Sequence, residues 1–206
     1  MKVYAEYFKN NDGCEYRRKT LLQFGNSSQL IGSAVLINPG SAKPIGDPDM
    51  KFLQDFYMNN HQESFEQSLW KQFTPDSTMN QLEKIFNGWY VGKSKKLDGV
   101  IQLFNCFYYR DANLYNAITK AKNSILFNEA RYFQDKPVWF GWGNVGKNEL
   151  NEITEPIFEA YDKSLTPIYL SDFKANKFSH PGYVNRAYQR DKNLNNLLVA
   201  FFDLFK

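Results

Sequence analysis

The sequence predicts an α/β protein, a three-layer sandwich with a central and mainly parallel sheet. Four apolar runs, at residues 34–37, 99–104, 137–141 and 167–170, end abruptly and are typical of buried strands. Stretches with helical spacing separate the runs, and this alternation favours a parallel sheet covered on both faces. With 206 residues, 43% of them hydrophobic, the chain is long enough to bury one sizeable core. We therefore expect a single domain over residues 1–206.

The first 30 residues predict a β-hairpin. Residues 3–8 alternate between apolar and polar side chains, residues 10–13 read Asn-Asn-Asp-Gly, and residues 14–24 can return as a second strand. We expect this hairpin, within residues 1–30, to extend an edge of an α/β core formed by residues 31–206.

The first apolar run of that core ends in Asn38-Pro39-Gly40-Ser41. Pro39 fixes its own φ and biases Asn38 towards an extended backbone. Gly40 permits a φ that other residues avoid and lets a ligand approach the backbone closely. The turn thus holds Asn38 at the carboxyl end of a strand, where open α/β sheets bind ligands. The alternative is an ordinary strand-to-loop turn.

The helices follow from apolar spacing and from start signals. One or two short helices over the top of the sheet are expected between residues 50 and 73. Thr74-Pro75-Asp76 predicts the start of the next helix, which carries an apolar stripe. A loop is expected at residues 178–183. Further helices are expected at residues 114–121, 124–133, 147–161 and 194–205.

Composition limits the classes of function. The net charge of +3 and the pI near 8.7 permit nucleic-acid binding without requiring it. Cys14 and Cys106 are far apart and match no metal or redox spacing, so we expect a reduced, cytoplasmic protein without metal or cofactor. Neither a signal peptide nor a membrane-spanning run is apparent, so no membrane partner is expected.

Three polar residues follow predicted strands: Asn38, Asn105 and His180. In a parallel sheet such positions converge on one crevice. An asparagine amide presents a donor beside an acceptor and can read the edge of a base, whereas histidine can donate to a developing oxyanion. Taken singly, each residue has an ordinary structural explanation; their joint placement is more specific.

These segments resemble the motifs of the uracil-DNA glycosylase superfamily. Leu36–Ser41 is similar to the G-I-N-P-G motif of its mismatch-specific branch, and Gly99–Asn105 to its G-V-L-L-L-N strand. Val138–Asn144 is similar to its V-F-L-L-W-G-S strand, and Ser179–Tyr183 to its H-P-S-P loop. The four pieces occur in the order of the superfamily and span nearly all of the predicted core.

A narrower resemblance is to the uncharacterised family called domain of unknown function 1643. Its motifs are N-P-S-x-A, D-P-T before a helix, and V-N-L-F. The counterparts in this sequence are Asn38–Ala42, Asp76–Thr78 and Leu103–Phe107. The N-terminal hairpin and residues 50–73 lie outside both resemblances.

The resemblance implies an N-glycosylase or a related hydrolase of nucleosides or nucleotides. Asn105 would hydrogen-bond the Watson–Crick edge of a base, and His180 would stabilise negative charge on that base as the glycosidic bond breaks. Asn38 and Ser41 would hold water near the sugar. The other residues expected at the base are Pro39, Gly40 and Phe107; Phe52 and Phe56 compete with Phe107 for stacking.

Two departures from the pattern keep other functions open. Asn38 stands where the fastest uracil glycosylases carry a water-activating carboxylate, and Gly182-Tyr183 replaces the Ser-Pro of the last loop. The alternative is therefore a non-catalytic module that binds nucleic acid, a nucleotide or a protein. A weaker alternative is a structural or interaction protein with a vestigial crevice.

The expected partner is a nucleic acid, with DNA ahead of RNA, or a nucleotide; a protein partner is an alternative. Contacts to a nucleic-acid backbone would come from basic residues flanking the mouth of the crevice, by neutralising phosphates. The candidates are Lys43, Arg186, Arg190 and Lys192. The alternative, a solvated helix face, is slightly favoured.

Overall fold

The computed structural model describes residues 1–11, 13–40, 42–64, 66–111, 113–121, 126–143 and 147–205. The described strands form one seven-stranded sheet, in the order β4-β5-β1-β2-β6-β3-β7. The strands are β1 (Lys2–Lys9), β2 (Glu15–Phe24), β3 (Leu30–Leu36), β4 (Pro44–Gly46), β5 (Trp70–Phe73), β6 (Gly99–Asn105) and β7 (Val138–Phe140).

Six α-helices are described, and aspartates cap three of them. The side chains of Asp49, Asp76 and Asp191 accept backbone N–H groups of the first turns that follow, which satisfies donors that have no partner inside a helix. None of the described helices is long and apolar enough to cross a membrane. The helices are α1 (Met50–Asn60), α2 (Ser77–Phe86), α3 (Leu114–Ala121), α4 (Lys147–Glu159), α5 (Pro181–Ala187) and α6 (Lys192–Asp203).

The sheet is mixed, and the prediction of a mainly parallel sheet was wrong. Strand β3 pairs in parallel with β6 and β7, whereas the other four strand pairs are antiparallel. An apolar run shows that a strand is buried on both faces, but not the direction of its neighbour. Only residues 10–14 separate β1 from β2, too few for a parallel crossover, so this pair must be antiparallel.

The N-terminal hairpin is confirmed, but not its position at an edge. Strand β2 pairs with β6, and β1 pairs with β5, so both strands of the hairpin are internal in the sheet. The segment 50–73 contains α1, as expected, but it ends in β5, a strand that was not predicted. The antiparallel half of the sheet is thus built from segments that the motifs do not cover.

The fourth predicted strand, at residues 167–170, is not a strand. Side chains of this segment instead serve the outer edge of β7: Thr166 Oγ1 accepts Val138 N–H at 3.1 Å, and the Tyr169 hydroxyl accepts Phe140 N–H at 2.9 Å. These bonds replace part of a strand ladder. The apolar character of the segment reflects burial of Tyr169 against β7.

Two further predictions need correction. The helix expected at 124–133 is a short 3₁₀ helix at Ala130–Phe133, and residues 122–125 lie outside the described chain. The loop expected at 178–183 ends at His180, because Pro181 occupies the first position of α5, where its missing N–H has no consequence.

Alternate residues of the sheet enter opposite hydrophobic clusters. Ala34 and Leu36 of β3 pack in one cluster with residues of α2, α5 and α6, whereas Val35 packs in a second with residues of α3 and α4. A third cluster joins α1 to β1 and β2. The first cluster contains residues of both the antiparallel and the parallel strands, so one core joins the two parts of the sheet.

Candidate functional site

A cavity of about 470 Å³ opens at the carboxyl ends of β3 and β6. Asn38, Asn105 and His180 all line it, so the structure brings the three predicted site residues together, although no strand of the described chain directly precedes His180. Its size lies within the range of small-molecule sites. Two further lining residues, Trp142 and Gly143, follow the end of β7.

Asn105 belongs to the floor of the cavity. It is the last residue of β6, lies opposite Leu36 of β3, and is 1% exposed. Its Nδ2 is buried without a hydrogen-bond partner in the described part of the chain. A buried amide donor without a partner is unfavourable, so this group is ready to donate to a ligand.

Asn38 is half-buried in the turn after β3, and its amide donors bond to the protein itself. Nδ2 donates to the carbonyl of Asp111 at 3.0 Å and to that of Pro39 at 3.3 Å. Its Oδ1 remains as the atom that can accept a hydrogen bond from water. Ser41 lies outside the described residues.

His180 is fixed at the N-terminus of α5. Its Nδ1 accepts the N–H of Gly182 at 3.1 Å, so the neutral ring carries its hydrogen on Nε2. Burial, followed by the nearby charge of Arg186, lowers the pKa of His180 from its usual 6.5. The imidazole is therefore neutral at pH 7 and offers an N–H donor.

The segment before His180 is anchored to the end of β7. The indole Nε1 of Trp139 donates to the carbonyl of Ser179 at 3.1 Å, and Gly143 N–H donates to that of Phe178 at 2.6 Å. Gly143 has a φ of 74°, which side-chain-bearing residues seldom adopt. Gly143, which follows β7, thus helps to position His180.

Arg17 is a cavity residue that the motifs did not indicate. It lies on β2, is 2% exposed, and its Nε and Nη1 have no hydrogen-bond partner in the described chain. Its guanidinium carbon lies 5.4 Å from the ring centroid of Phe73. Burial lowers the pKa of Arg17 from 12.5 to about 10, so the group remains charged at pH 7.

A β-bulge decides which arginine faces the cavity. The pairing of β1 with β2 shifts register between Tyr4 and Glu6, and Lys19 on the opposite strand has a φ of 50°. Arg17 therefore lies on the face that strict alternation would give to Arg18, which pairs with Glu6 instead. No sequence pattern reveals the bulge.

Asp76 brings a carboxylate to the cavity. Its Oδ1 caps α2 by accepting Met79 N–H at 2.9 Å. Its Oδ2 lies 3.3 Å from the point that a Cβ on residue 40 would occupy. Gly40 does not adopt a positive φ, so what it provides is room for this close approach. The sequence indicated Asp76 only as a helix cap and as part of a family motif.

The aromatic residues of the cavity differ from those expected. Trp142 and Phe178 line it with their ring centroids 4.6 Å apart, and Tyr183 lines it with 43% of its surface exposed. Phe107 is fully buried in the second cluster and does not line the cavity. The expected positions that the cavity does not include are Pro39, which is buried, and Phe52 and Phe56, which pack in the third cluster.

The basic residues divide into two groups. Arg186 is exposed and lines the cavity together with Lys177, which the motifs did not indicate. Arg190 and Lys192 line a neighbouring, shallower concavity that shares Tyr183 with the cavity. Lys43 is exposed next to β4 and belongs to neither.

Among the described residues, no group of three His, Cys, Asp or Glu side chains could hold a metal ion. Cys106 is fully buried, and burial raises the pKa of its thiol far above the usual range, so it is not a nucleophile at neutral pH. Comparison of the chain with protein-family models, with curated proteins and with solved structures gave no match. The resemblance to glycosylases therefore stays a prediction.

Proposed function

We propose that the cavity binds a nucleobase and that the protein is a glycosylase-like hydrolase of an N-glycosidic bond, in DNA or in a nucleotide. The observation that carries this proposal is the meeting of Asn38, Asn105 and His180 at one cavity. The three residues come from separate motifs, and a purely structural use of each would not require a shared site. The glycosylase-like assignment of the fold is part of the proposal.

Asn105 would hold the base. Its buried Nδ2 lacks a partner and would donate to a base carbonyl, and a matching donor–acceptor edge is worth about 1–3 kcal/mol of discrimination. Trp142 and Phe178, at the wall of the same cavity, offer ring faces or edges against which a base can pack.

Asp76 would supply the carboxylate that the first motif lacks. Water adds to the sugar C1′ and gives one proton to Asp76, while the bond from C1′ to the base nitrogen breaks and its electron pair leaves with the base. The N–H on Nε2 of His180 would stabilise that charge. Oδ1 of Asn38 would orient the water by accepting its second hydrogen.

The test is the Asp76→Asn variant. Asparagine caps helices as well as aspartate does, so α2 is retained while the base is lost. We expect single-turnover release of the base to fall by about 100-fold or more, because general-base catalysis contributes about 10²–10⁴-fold. The substrates are DNAs that carry deaminated bases, and free nucleotides.

The matched control is Asp191→Asn, which makes the same change at the cap of α6, outside the cavity lining. It should release base at the wild-type rate. Equal rates in wild type and Asp76→Asn would exclude Asp76 as the base, and a wild type that releases nothing from any substrate would exclude the hydrolase.

A second candidate is a binding module without catalysis. It is favoured by Asn38, since both bonds from its Nδ2 go to carbonyls of the protein and tie the turn to residue 111. In this case nucleobases would raise the melting temperature by mass action without being released from any substrate. Asn38→Asp separates the orientation of water from the anchoring of the turn. It keeps an acceptor oxygen at Oδ1 for the water and loses the Nδ2 donor that holds the turn.

A further inference from the structure

One wall of the cavity carries a buried positive charge that nothing in the described chain neutralises by direct contact. Arg17 is 2% exposed, and neither its Nε nor its Nη1 has a hydrogen-bond partner among the described residues. The charge of Asp76 favours the charged form of Arg17, but a buried ion whose donors lack hydrogen bonds is still among the most unfavourable groups in a protein. It is retained where something other than folding requires it, and its position in the cavity lining indicates a ligand.

The charge of the surrounding wall strengthens this interpretation. Among the described residues that line the cavity, Arg17, Lys177 and Arg186 are cationic, and Asp76 is the only acidic one. The one carboxylate offsets only one of the three positive charges, and His180 is neutral at pH 7. The cavity is therefore net positive and selects an anionic ligand.

We propose that Arg17 binds the phosphate group of a small free nucleotide whose base lies against Asn105. This inference rests on the proposed function for the base, whereas the anionic group follows from Arg17 alone. The guanidinium is a planar fork that matches the oxygens of a phosphate. Because Arg17 is buried, only a group that enters the cavity reaches it. The backbone phosphates of a polymer would remain at the mouth, near the exposed side chains of Lys177 and Arg186.

The experiment measures how much the phosphate adds to affinity. Uridine and uridine 5′-monophosphate, and the corresponding adenine and guanine pairs, are titrated by calorimetry against wild type and Arg17→Met. In wild type we expect at least one nucleotide to bind about 10- to 100-fold more tightly than its nucleoside, as charged hydrogen bonds of this kind allow. In Arg17→Met the affinity ratio, which is the affinity for the nucleotide divided by that for its nucleoside, should fall to about one.

Arg18→Met is the matched control. It is the same substitution at the adjacent position of β2, but Arg18 pairs with Glu6 and does not line the cavity. Its ratio should equal that of wild type. Arg17→Lys keeps the charge without the planar fork and should give an intermediate ratio; it also provides a folded variant if Arg17→Met does not fold.

Three results would overturn the proposal: no nucleotide that binds wild type more tightly than its nucleoside does, an affinity ratio that survives in Arg17→Met, or an oligonucleotide that binds through Arg17 when no free nucleotide does. Inorganic phosphate and acetate are the remaining probes, and tighter binding of acetate would overturn the assignment of a phosphate.

The same data separate this inference from the proposed function. If inorganic phosphate binds through Arg17 and the protein shows no preference among bases, the anion site is supported and the proposed nucleobase site is excluded. Nucleosides that bind through Asn105, with no gain from a phosphate, would support the nucleobase and remove the anion site.

Discussion

The two halves of the sheet differ in what their sequence reveals and in what they bring to the cavity. The parallel half, β6, β3 and β7, carries the recognisable motifs and contributes Asn105 and the turn with Asn38. The antiparallel half, β4, β5, β1 and β2, matches no motif, yet it contributes Arg17. A segment outside the motif resemblances can therefore supply a buried wall residue to the cavity.

The largest expected effect tests whether the halves form one folding unit. Leu22 of β2 and Leu103 of β6 are buried in the same cluster. Leu22→Ala should therefore lower the free energy of unfolding of the whole protein by about 2–5 kcal/mol, through lost burial and an unfilled cavity. Urea unfolding should remain a single transition when it is followed both by fluorescence and by circular dichroism.

The control is Leu170→Ala, the same substitution at a leucine that is 60% exposed, and its effect should stay within about 0.5 kcal/mol. A Leu22→Ala variant that loses only the signal of the hairpin, while the rest unfolds as in wild type, would show that the antiparallel half is an appendage.

The next effect has the opposite sign and concerns Arg17. Without ligand, Arg17→Met should raise the free energy of unfolding by about 1–3 kcal/mol, because an apolar side chain replaces a buried charge that has no hydrogen-bond partner. Asn105→Leu is the corresponding change in the parallel half. It should raise the free energy of unfolding by less, because the amide that it replaces is uncharged. A destabilised Arg17→Met would mean that Arg17 holds the fold together and would weaken its role as a binding residue.

A smaller effect concerns acid stability and the chain's two histidines. His61 packs against Phe56 and Tyr57 of the third cluster, which includes residues of the antiparallel half, and burial lowers its pKa from 6.5 to about 4. The folded state therefore binds a proton less readily than the unfolded state, and stability falls as the pH is lowered from about 6.5 towards 4. His61→Gln should flatten this dependence, measured as urea midpoints across that range.

His180→Asn gives the same comparison for the parallel half, since asparagine keeps a cap for α5. The pKa of His180 is also lowered in the folded protein, so its replacement too should reduce the dependence of stability on acid pH. A wild type that gains stability on acidification in this range would contradict both assignments.

The smallest expected effect concerns exposed cations. If an oligonucleotide binds, Arg190→Ala should reduce the slope of log affinity against log salt by about one, because Arg190 adjoins the mouth of the cavity through Tyr183. Lys43→Ala should leave the slope unchanged, because Lys43 lies beside β4 and lines neither concavity. Equal slopes in both variants and wild type would show that Arg190 does not contact the phosphates of the oligonucleotide.

The features of the fold that the sequence predicted correctly are those that depend on local sequence pattern. The hairpin, the strands ending near Ile37 and Asn105, and the helices α3 and α4 follow from apolar spacing and turn residues, although α4 ends two residues before the predicted 161. Strand direction does not, because burial on both faces is compatible with either direction of the neighbour. The segment 167–170 was misread for a related reason: Tyr169 is buried to satisfy the edge of β7, not to extend the sheet.

The site was predicted to a similar extent. Asn38 and Asn105 could be placed together because they lie at the carboxyl ends of the adjacent parallel strands β3 and β6. His180 was expected there after a fourth strand, at residues 167–170, which is not a strand; it reaches the cavity because Phe178 and Ser179 are hydrogen-bonded to residues at the end of β7. Arg17 could not, since its face depends on the bulge at Lys19, and Asp76 could not, since its approach to Gly40 is a tertiary contact. Trp142 and Phe178 were hidden by the general abundance of aromatic residues in the chain.

The two outermost strands, β4 and β7, are only three residues long each. A sheet is most vulnerable to self-association along its margins, where unpaired backbone groups can template a strand from another copy. Here the long strands, β1 and β2, are both enclosed, and the margin at β7 is already engaged by the Thr166 and Tyr169 side chains. The arrangement of strand lengths therefore protects the folded chain against amyloid-like stacking.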